Sequence, residues 1–578
     1  MVEEKEISTK GAKKLLLILY NTSMSSTYPT EQDFARMRAL YGENKIITGE
    51  YDHSLAVKCE NGTFVGVDNG DVISYKGIPF AKPPINELRW KAPEYVEKQD
   101  VVKQAYYFGK AAIQEPWFSE LSSCYPQSED CLYLNIWTNK KCKDKKPVMV
   151  FIHGGAYGYG GTSDPIYDGY NFIKKHEDVI LITIAYRVGI MGFIDFSFVP
   201  GSKGYEDSVN LGLLDQVMAL KWIQNNIENF GGDKNNVTIF GESAGGGSAS
   251  ILPIMDCAKG LFAKAIGESG SIALTYDRKE CRPFTEKLLE LSNCKTMQDL
   301  LNLTTEQLQK FNKPINEKNN FPCRDGKIVP KDLYKAYKDG KSSWCDMING
   351  TNKDECRYWI GEMGGIQIYA AGIPLLFDNQ LAIMSKKDQK IAREYFRKNE
   401  DGTAYIRLTE FENDIIFRCP AQKQLQYHSD NGGKAYNYLW TYPSDKKNYG
   451  ACHAVELNHV FNNLDERIYT GNNVNEDLAD EVQQMWINFA KTGNPSTENN
   501  KWPEYNSKTK KTMILGEKMF VKDNLFSRRS ALIDPLLKYH INGNYSVLKL
   551  NTPYIKVLVG VLFAIIVIMV MFIKVLIK

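Results

Sequence analysis

From Leu55 onward, short apolar runs rich in β-branched residues alternate with longer stretches of helical period. That alternation predicts a mainly parallel central sheet with helices on both faces. Residues 147–152, 179–185 and 237–240 read as buried strands, and residues 346–349, 435–441 and 512–515 as later ones. Between the second and third, Leu213, Leu214, Val217, Leu220, Ile223 and Ile227 recur near a 3.6-residue period, which predicts a helix over about 211–229. Residues 1–54 are polar without a sustained period and read as a partly disordered extension. A single domain then covers 55–537. Residues 538–554, with Gly and Asn, read as a linker.

The strongest run is the last. Residues 557–573 are 17 positions without a charged or strongly polar side chain. With flanks, over 555–576, they can cross a bilayer core of roughly 30 Å as one helix. Lys556, Lys574 and Lys578 can reach the headgroups. A cleaved lipid-anchor signal also ends in an apolar tail, though the terminal lysines fit it poorly. At the other end, Lys13-Lys14 before Leu15 to Leu19 faintly resembles a signal peptide. The apolar stretch is short, and Glu3, Glu4 and Glu6 spoil the basic start.

Composition narrows the function classes. The chain of 578 residues has 71 basic and 69 acidic side chains, a formal charge of +2. No whole-chain field favours nucleic acid as a partner. Twelve cysteines are too few for a disulfide scaffold in so long a chain. No paired C-x-x-C or H-E-x-x-H occurs, and no two of the seven histidines share the i, i+4 spacing of a helical zinc site, so no metal or cofactor is expected.

The candidate chemistry is nucleophilic. Gly241-Glu242-Ser243-Ala244-Gly245 fits G-x-S-x-G, follows the predicted strand 237–240 and opens a small-residue helix over 245–252. A sharp strand-to-helix turn excludes large side chains, lifts the serine clear of the sheet and aims a helix N-terminus at the reacting carbonyl. A second Gly-rich turn, His153-Gly154-Gly155-Ala156-Tyr157, follows strand 147–152 and is the kind of loop whose backbone N–H groups hold an oxyanion. In this arrangement the acid follows the serine and the histidine follows the acid. Four histidines lie beyond Ser243. His540 falls in the linker, His459 on an apolar helical face, and His428 at the end of a Gln-rich stretch expected on the surface. His453 follows a strand and a polar loop, where a catalytic histidine belongs. The Asp354-Glu355 pair follows strand 346–349 and could orient an imidazole, although any such pair is as readily a solvated loop.

The chain resembles the type-B carboxylesterase and cholinesterase family from Leu55 to Leu536. The stretches that carry the resemblance are Tyr75 to Ala81 with Pro83-Pro84, Leu88-Arg89-Trp90, Ser128 to Asn135, the His153 loop, Tyr186 to Gly189, Asn210 to Gln216, Phe230 to Asp233 and Phe240 to Gly246. The resemblance implies an α/β-hydrolase fold and a Ser-His-Glu triad of Ser243, His453 and Glu355. It implies oxyanion donors at Gly155, Ala156 and Ala244, supporting roles for Glu242 and Ser269, and a pocket lined by Tyr358 and Trp359. It also implies a disulfide, with Cys281 and Cys294 roughly at the family's second bridge. The partner expected for Cys131 is Ala112, with Cys124 or Cys142 as substitutes, and no cysteine follows Cys452 to complete a bridge from Cys419. No tryptophan stands where cholinesterases hold choline, Trp117 being a loose candidate, so a general carboxylic ester is the expected substrate, with membrane lipid or a tethered adhesion role as alternatives. Sequons at Asn21, Asn61, Asn236, Asn302, Asn349 and Asn544 do not show that sugar is attached; a single-pass membrane protein with its domain in the secretory-pathway lumen or outside the cell is expected ahead of a cytosolic tail-anchored one.

Overall fold

The six predicted strands all form, within one sheet of eleven. The computed structural model describes residues 30–115, 121–141, 144–315, 320–362, 377–378, 380–398 and 404–541. The strands are β1 (Ala56–Cys59), β2 (Gly62–Val65), β3 (Val67–Asn69), β4 (Val72–Pro79), β5 (Val102–Gln104), β6 (Tyr133–Asn139) and β7 (Lys146–Ile152), then β8 (Ile180–Ile184), β9 (Gly232–Glu242), β10 (Lys264–Glu268), β11 (Asp346–Asn352), β12 (Ala435–Trp440), β13 (Thr512–Leu515) and β14 (Phe520–Lys522). The large sheet runs β14-β13-β12-β11-β10-β9-β7-β8-β6-β4-β3, and β1, β2 and β5 make a small second sheet. The centre, from β8 across to β13, is parallel, while both margins are antiparallel.

Burial explains why the central strands were readable. Every residue of β7, β8 and β10 is buried, as a parallel strand covered on both faces should be. β10 escaped prediction because Lys264, Gly267 and Glu268 interrupt its apolar run. Gly267 is required there, since a Cβ would lie 2.7 Å from Asn349 Nδ2 on β11. The predicted helix runs Leu211–Asn226 and tightens into a 3-10 turn, Ile227–Phe230.

Motifs far apart in sequence meet as buried ion pairs. Arg89 donates from Nε and Nη2 to the two oxygens of Glu129, at 2.6 Å each. Arg187 donates from Nε and Nη2 to Asp215 at 2.8 and 2.7 Å, and both residues are almost wholly buried. Loss of one partner would strand a buried charge, at about 3–5 kcal/mol. The second pair ties the segment after β8 to the helix Leu211–Asn226, and the first, with Arg89 Nη1 donating to Leu301 O and Leu303 O, ties two loops to the segment after the helix Met297–Leu301.

The polar extension contributes a helix, Glu31–Ala39, closed at its start by a capping box between Thr30 and Asp33. Its Met37 is fully buried beside Ala111 and Tyr125. At the other end, residues 538–541 pack with the domain, and His540 is buried 5.3 Å from the Tyr334 ring. The apolar run 557–573 lies outside the described residues. Among those described, no helix is long and apolar enough to cross a membrane.

The expected Cys281–Cys294 bridge is not formed. Cys281 lies in the first turn of the helix Arg278–Ser292 and Cys294 beyond its end. Eleven helical residues rise about 16 Å, against a disulfide reach of about 7 Å between Cα atoms. Cys281 is buried, and all eleven described cysteines are free thiols. Two sequons are also closed to sugar in the folded chain: Asn61 and Asn349 are buried, with side-chain amides donating to Pro79 O and Ser250 Oγ.

Candidate active site

Ser243 sits at the junction of β9 and the helix Ala244–Ile251, with φ 57° and ψ −117°. A non-glycine residue so placed costs about 1–3 kcal/mol and persists only when its surroundings enforce it. Here they do. Ser243 N–H donates to Glu268 O at 2.9 Å, and Ser243 O accepts from Gly247 N–H at 2.8 Å. Gly245 is forced by close approach, since a Cβ would lie 1.9 Å from Ile152 O at the end of β7. Ser243 is partly exposed, whereas its sequence neighbours are buried.

The His153 loop lies against this turn. A Cβ on Gly154 would come within 3.2 Å of Ser243 Cβ. Gly155, Ala156 and Tyr157 follow with φ of 101°, 51° and 57°. Among the described residues, nothing accepts from the backbone N–H groups of Gly155, Ala156 or Ala244. Three donors beside a nucleophile, with no internal acceptor, are what a developing oxyanion requires. His153 itself turns inward, stacked 4.3 Å from Tyr186, and burial pushes its pKa down to about 4.

The histidine and the acid are 98 residues apart in sequence and in contact in space. His453 Nδ1 lies 2.7 Å from Glu355 Oε2. Glu355 is fully buried, and its other oxygen accepts from Asn352 N–H at 2.7 Å. Of the two acidic candidates only Glu355 faces the ring. Asp354 turns the other way, to Ala451 N–H at 3.0 Å and Arg357 at 2.9 Å. The imidazole's far side faces the elbow, with Nε2 3.1 Å from Glu242 Oε1. Nε2 makes no hydrogen bond to Ser243 or to any other described group. The structure therefore joins histidine to acid but leaves the serine–histidine hydrogen bond open, a link that in many such sites tightens only with substrate.

Behind this pair lie two more carboxyls. Glu456 accepts from Asn352 Nδ2 at 2.5 Å and from Ser269 Oγ at 3.3 Å. Burial, then the nearby Glu355 and Glu268, push its pKa up to about 8. Glu268, bonded to Trp486 Nε1 at 2.6 Å, is pushed up to about 7 by burial. Both shifts disfavour a second negative charge beside Glu355.

Two aromatic rings enclose His453. Trp359 lies 4.7 Å and Phe417 5.1 Å from its centroid, and the two are stacked 5.9 Å apart at 7°. Tyr358, expected beside them in the pocket, packs one layer out against Tyr449 and Tyr469. Phe417 was missed. Its only sequence signal is an apolar triplet, Ile415-Ile416-Phe417, inside a stretch otherwise readable as an ordinary helix. The other histidines beyond Ser243 are buried in the packing of the domain. His459 is buried, accepts from Asn475 N–H at 3.3 Å and has its pKa lowered to about 4. His428, expected on the surface, is fully buried between Ser342 Oγ at 2.9 Å and Lys434 O at 3.1 Å. Among the described residues no cluster of metal-ligating side chains occurs.

Comparison with known proteins agrees with this geometry. Residues 53–533 match the profile of the Carboxylesterase family. Para-nitrobenzyl esterase of Bacillus subtilis is 35% identical over 503 residues, covering 83% of this chain and 98% of that protein. Pig liver carboxylesterase (Sus scrofa) is 32% identical, over 81% and 91% of the two chains. A solved PNB esterase superposes with a TM-score of 0.74 at 33% identity, covering 83% of this chain and 99% of its own. A Geobacillus stearothermophilus carboxylesterase superposes equally well, 0.74 at 30% identity and the same coverage. With an α/β-hydrolase sheet, a strained serine at its strand–helix turn and relatives matched along nearly their whole lengths, the chain belongs to the carboxylesterase family and is a carboxylic ester hydrolase.

Proposed function

We propose that Ser243, His453 and Glu355 cleave carboxylic esters by two-step acyl transfer. The observation that carries this is Ser243, held in a strained turn beside three backbone donors without an internal acceptor, with a Glu355-bound imidazole whose Nε2 lies 3.1 Å from the adjacent Glu242. His453 Nε2 takes the hydroxyl proton as Oγ attacks the ester carbonyl, and Glu355 stabilises the imidazolium. The N–H groups of Gly155, Ala156 and Ala244 stabilise the tetrahedral oxyanion, at about 3 kcal/mol for each donor. The imidazolium returns its proton to the departing alcohol. Water, activated by the same ring, then releases the acid and restores the serine. No step requires a metal or organic cofactor. The stacked Trp359 and Phe417 favour flat or apolar groups on the ester.

An alkyl fluorophosphonate tests the nucleophile. Labelling, followed by digestion and mass spectrometry, is expected to place the phosphonyl group on Ser243 alone, and to be abolished by prior heat unfolding. Stable modification elsewhere, with Ser243 untouched, would overturn the assignment.

We further propose that residues 555–576 hold this domain at a membrane on its luminal or outer side. The uncharged run 557–573 and its lysine flanks support the anchor, and the exposed sequon at Asn302 supports the side. The full chain is expected to stay with membranes through high-salt and alkaline washes and to enter solution with detergent. Release by salt alone would refute the anchor.

A further inference from the structure

A π-helical turn, Asn413–Arg418, joins the helices Ala404–Glu412 and Cys419–Asp430. Such turns occur mostly as local widenings of α-helices, frequently at functional sites. This one reaches three parts of the active site. Phe417 covers the His453 ring. Ile416 O accepts from Ser271 Oγ at 3.0 Å, just past the Glu268 segment behind the elbow. Asn413, 1% exposed, reaches the acid loop. Its Oδ1 accepts from Cys356 N–H at 2.8 Å and its Nδ2 donates to Lys353 O at 3.1 Å.

These two bonds bracket Glu355, one residue after it and two before. The turn itself is anchored from behind. Asp414, fully buried, pairs with Arg418 and accepts from Tyr395 OH at 2.6 Å and Arg529 Nε at 3.0 Å. Arg418 Nη2 also donates to Lys353 O at 3.1 Å. An asparagine carboxamide fits the site because it supplies an acceptor and a donor at once, and the loop presents one N–H and one carbonyl.

Resting on the triad proposed above, we infer that Asn413 is a positioning residue for ester hydrolysis. By fixing the backbone on both sides of Glu355, it aims that carboxylate at His453 Nδ1. It touches neither substrate nor reacting atoms. The rate depends steeply on this aim, since misplacing a catalytic group by about 1 Å can cost on the order of 100-fold.

The experiment compares Asn413→Leu and Asn413→Asp with the parent enzyme on a short p-nitrophenyl ester, using folded protein quantified by near-UV circular dichroism. Asn413→Leu, similar in size but without either bond, is expected to lower kcat about 10- to 100-fold while KM stays within about two-fold. Asn413→Asp keeps the acceptor for Cys356 N–H and is expected to recover part of kcat. Wild-type kcat in Asn413→Leu would overturn the inference, as would a rise in KM at unchanged kcat, which would mark a substrate contact. If Asn413→Leu does not fold, Asn413→Asp decides alone: a kcat between 20% and 80% of wild type at unchanged KM supports positioning, and any other result overturns it. Ser243→Ala runs alongside. An active Ser243→Ala removes the underlying mechanism, whereas an inactive one with wild-type-like Asn413→Leu removes only this inference.

Discussion

Ser243→Ala is expected to reduce kcat on a short p-nitrophenyl ester by on the order of 10⁶-fold, the loss seen when a triad nucleophile is removed from a serine hydrolase. KM should change little, because the oxyanion donors and the Trp359–Phe417 wall remain. Alanine also lacks the hydroxyl but fits the φ of 57° no better than serine does, so the turn keeps its strain and its hydrogen bonds to Glu268 and Gly247. Fold and melting temperature should therefore be unaffected. A residual rate above about one thousandth of wild type would mean that another group attacks the ester, and the mechanism would have to be rebuilt. Burst kinetics sharpen the test: the wild-type enzyme should release a stoichiometric pulse of p-nitrophenol wherever deacylation is slow, and the variant should release none.

Half of this site was legible in sequence because half of it is local. The elbow and the His153 loop are each contiguous, and each follows a strand that burial makes apolar. Glycine appears in them where backbones touch, as at Gly245 against Ile152 O. The acid and the histidine are different in kind. Nothing near Asp354 says that it turns to Arg357 while Glu355 turns to His453, because the two residues are set by backbone bonds to a loop about 100 residues away, Asp354 N–H to Ala451 O at 2.9 Å and His453 N–H to Glu355 O at 3.2 Å. Family resemblance, not pattern, singled out Glu355. Phe417 and Asn413 were illegible for a further reason. A π turn has no periodic signature of its own, and its two functional side chains act only through a loop some 60 residues upstream and a ring beyond it. The failed Cys281–Cys294 pairing shows the limit of resemblance: two cysteines roughly at the family's bridge positions do not pair when a helix holds their backbones apart.

The carboxylate behind the ring gives the second large effect. Glu355→Gln is expected to lower kcat by roughly 10³- to 10⁴-fold with the fold intact, the scale found when a triad acid is replaced by its amide. The amide is isosteric, so the bond from Asn352 N–H and the packing around a fully buried side chain can be kept. What changes is the proton. An ionised Glu355 only accepts, which fixes the proton of the neutral ring on Nδ1 and leaves Nε2 free to receive the serine's. Glutamine can donate to Nδ1, which moves the ring proton to Nε2, where it blocks the transfer. The imidazolium formed in the transition state also loses its buried counter-charge. Glu242 supplies the contrast. It stands 3.1 Å from Nε2, on the side where Ser243 and substrate must engage, so it cannot fix the tautomer once they do. Glu242→Gln should therefore retain at least about a tenth of wild-type kcat. If Glu242→Gln proved the more damaging of the two, with Glu355→Gln within tenfold of wild type, the orienting acid would be Glu242 and the ring would work in the opposite sense.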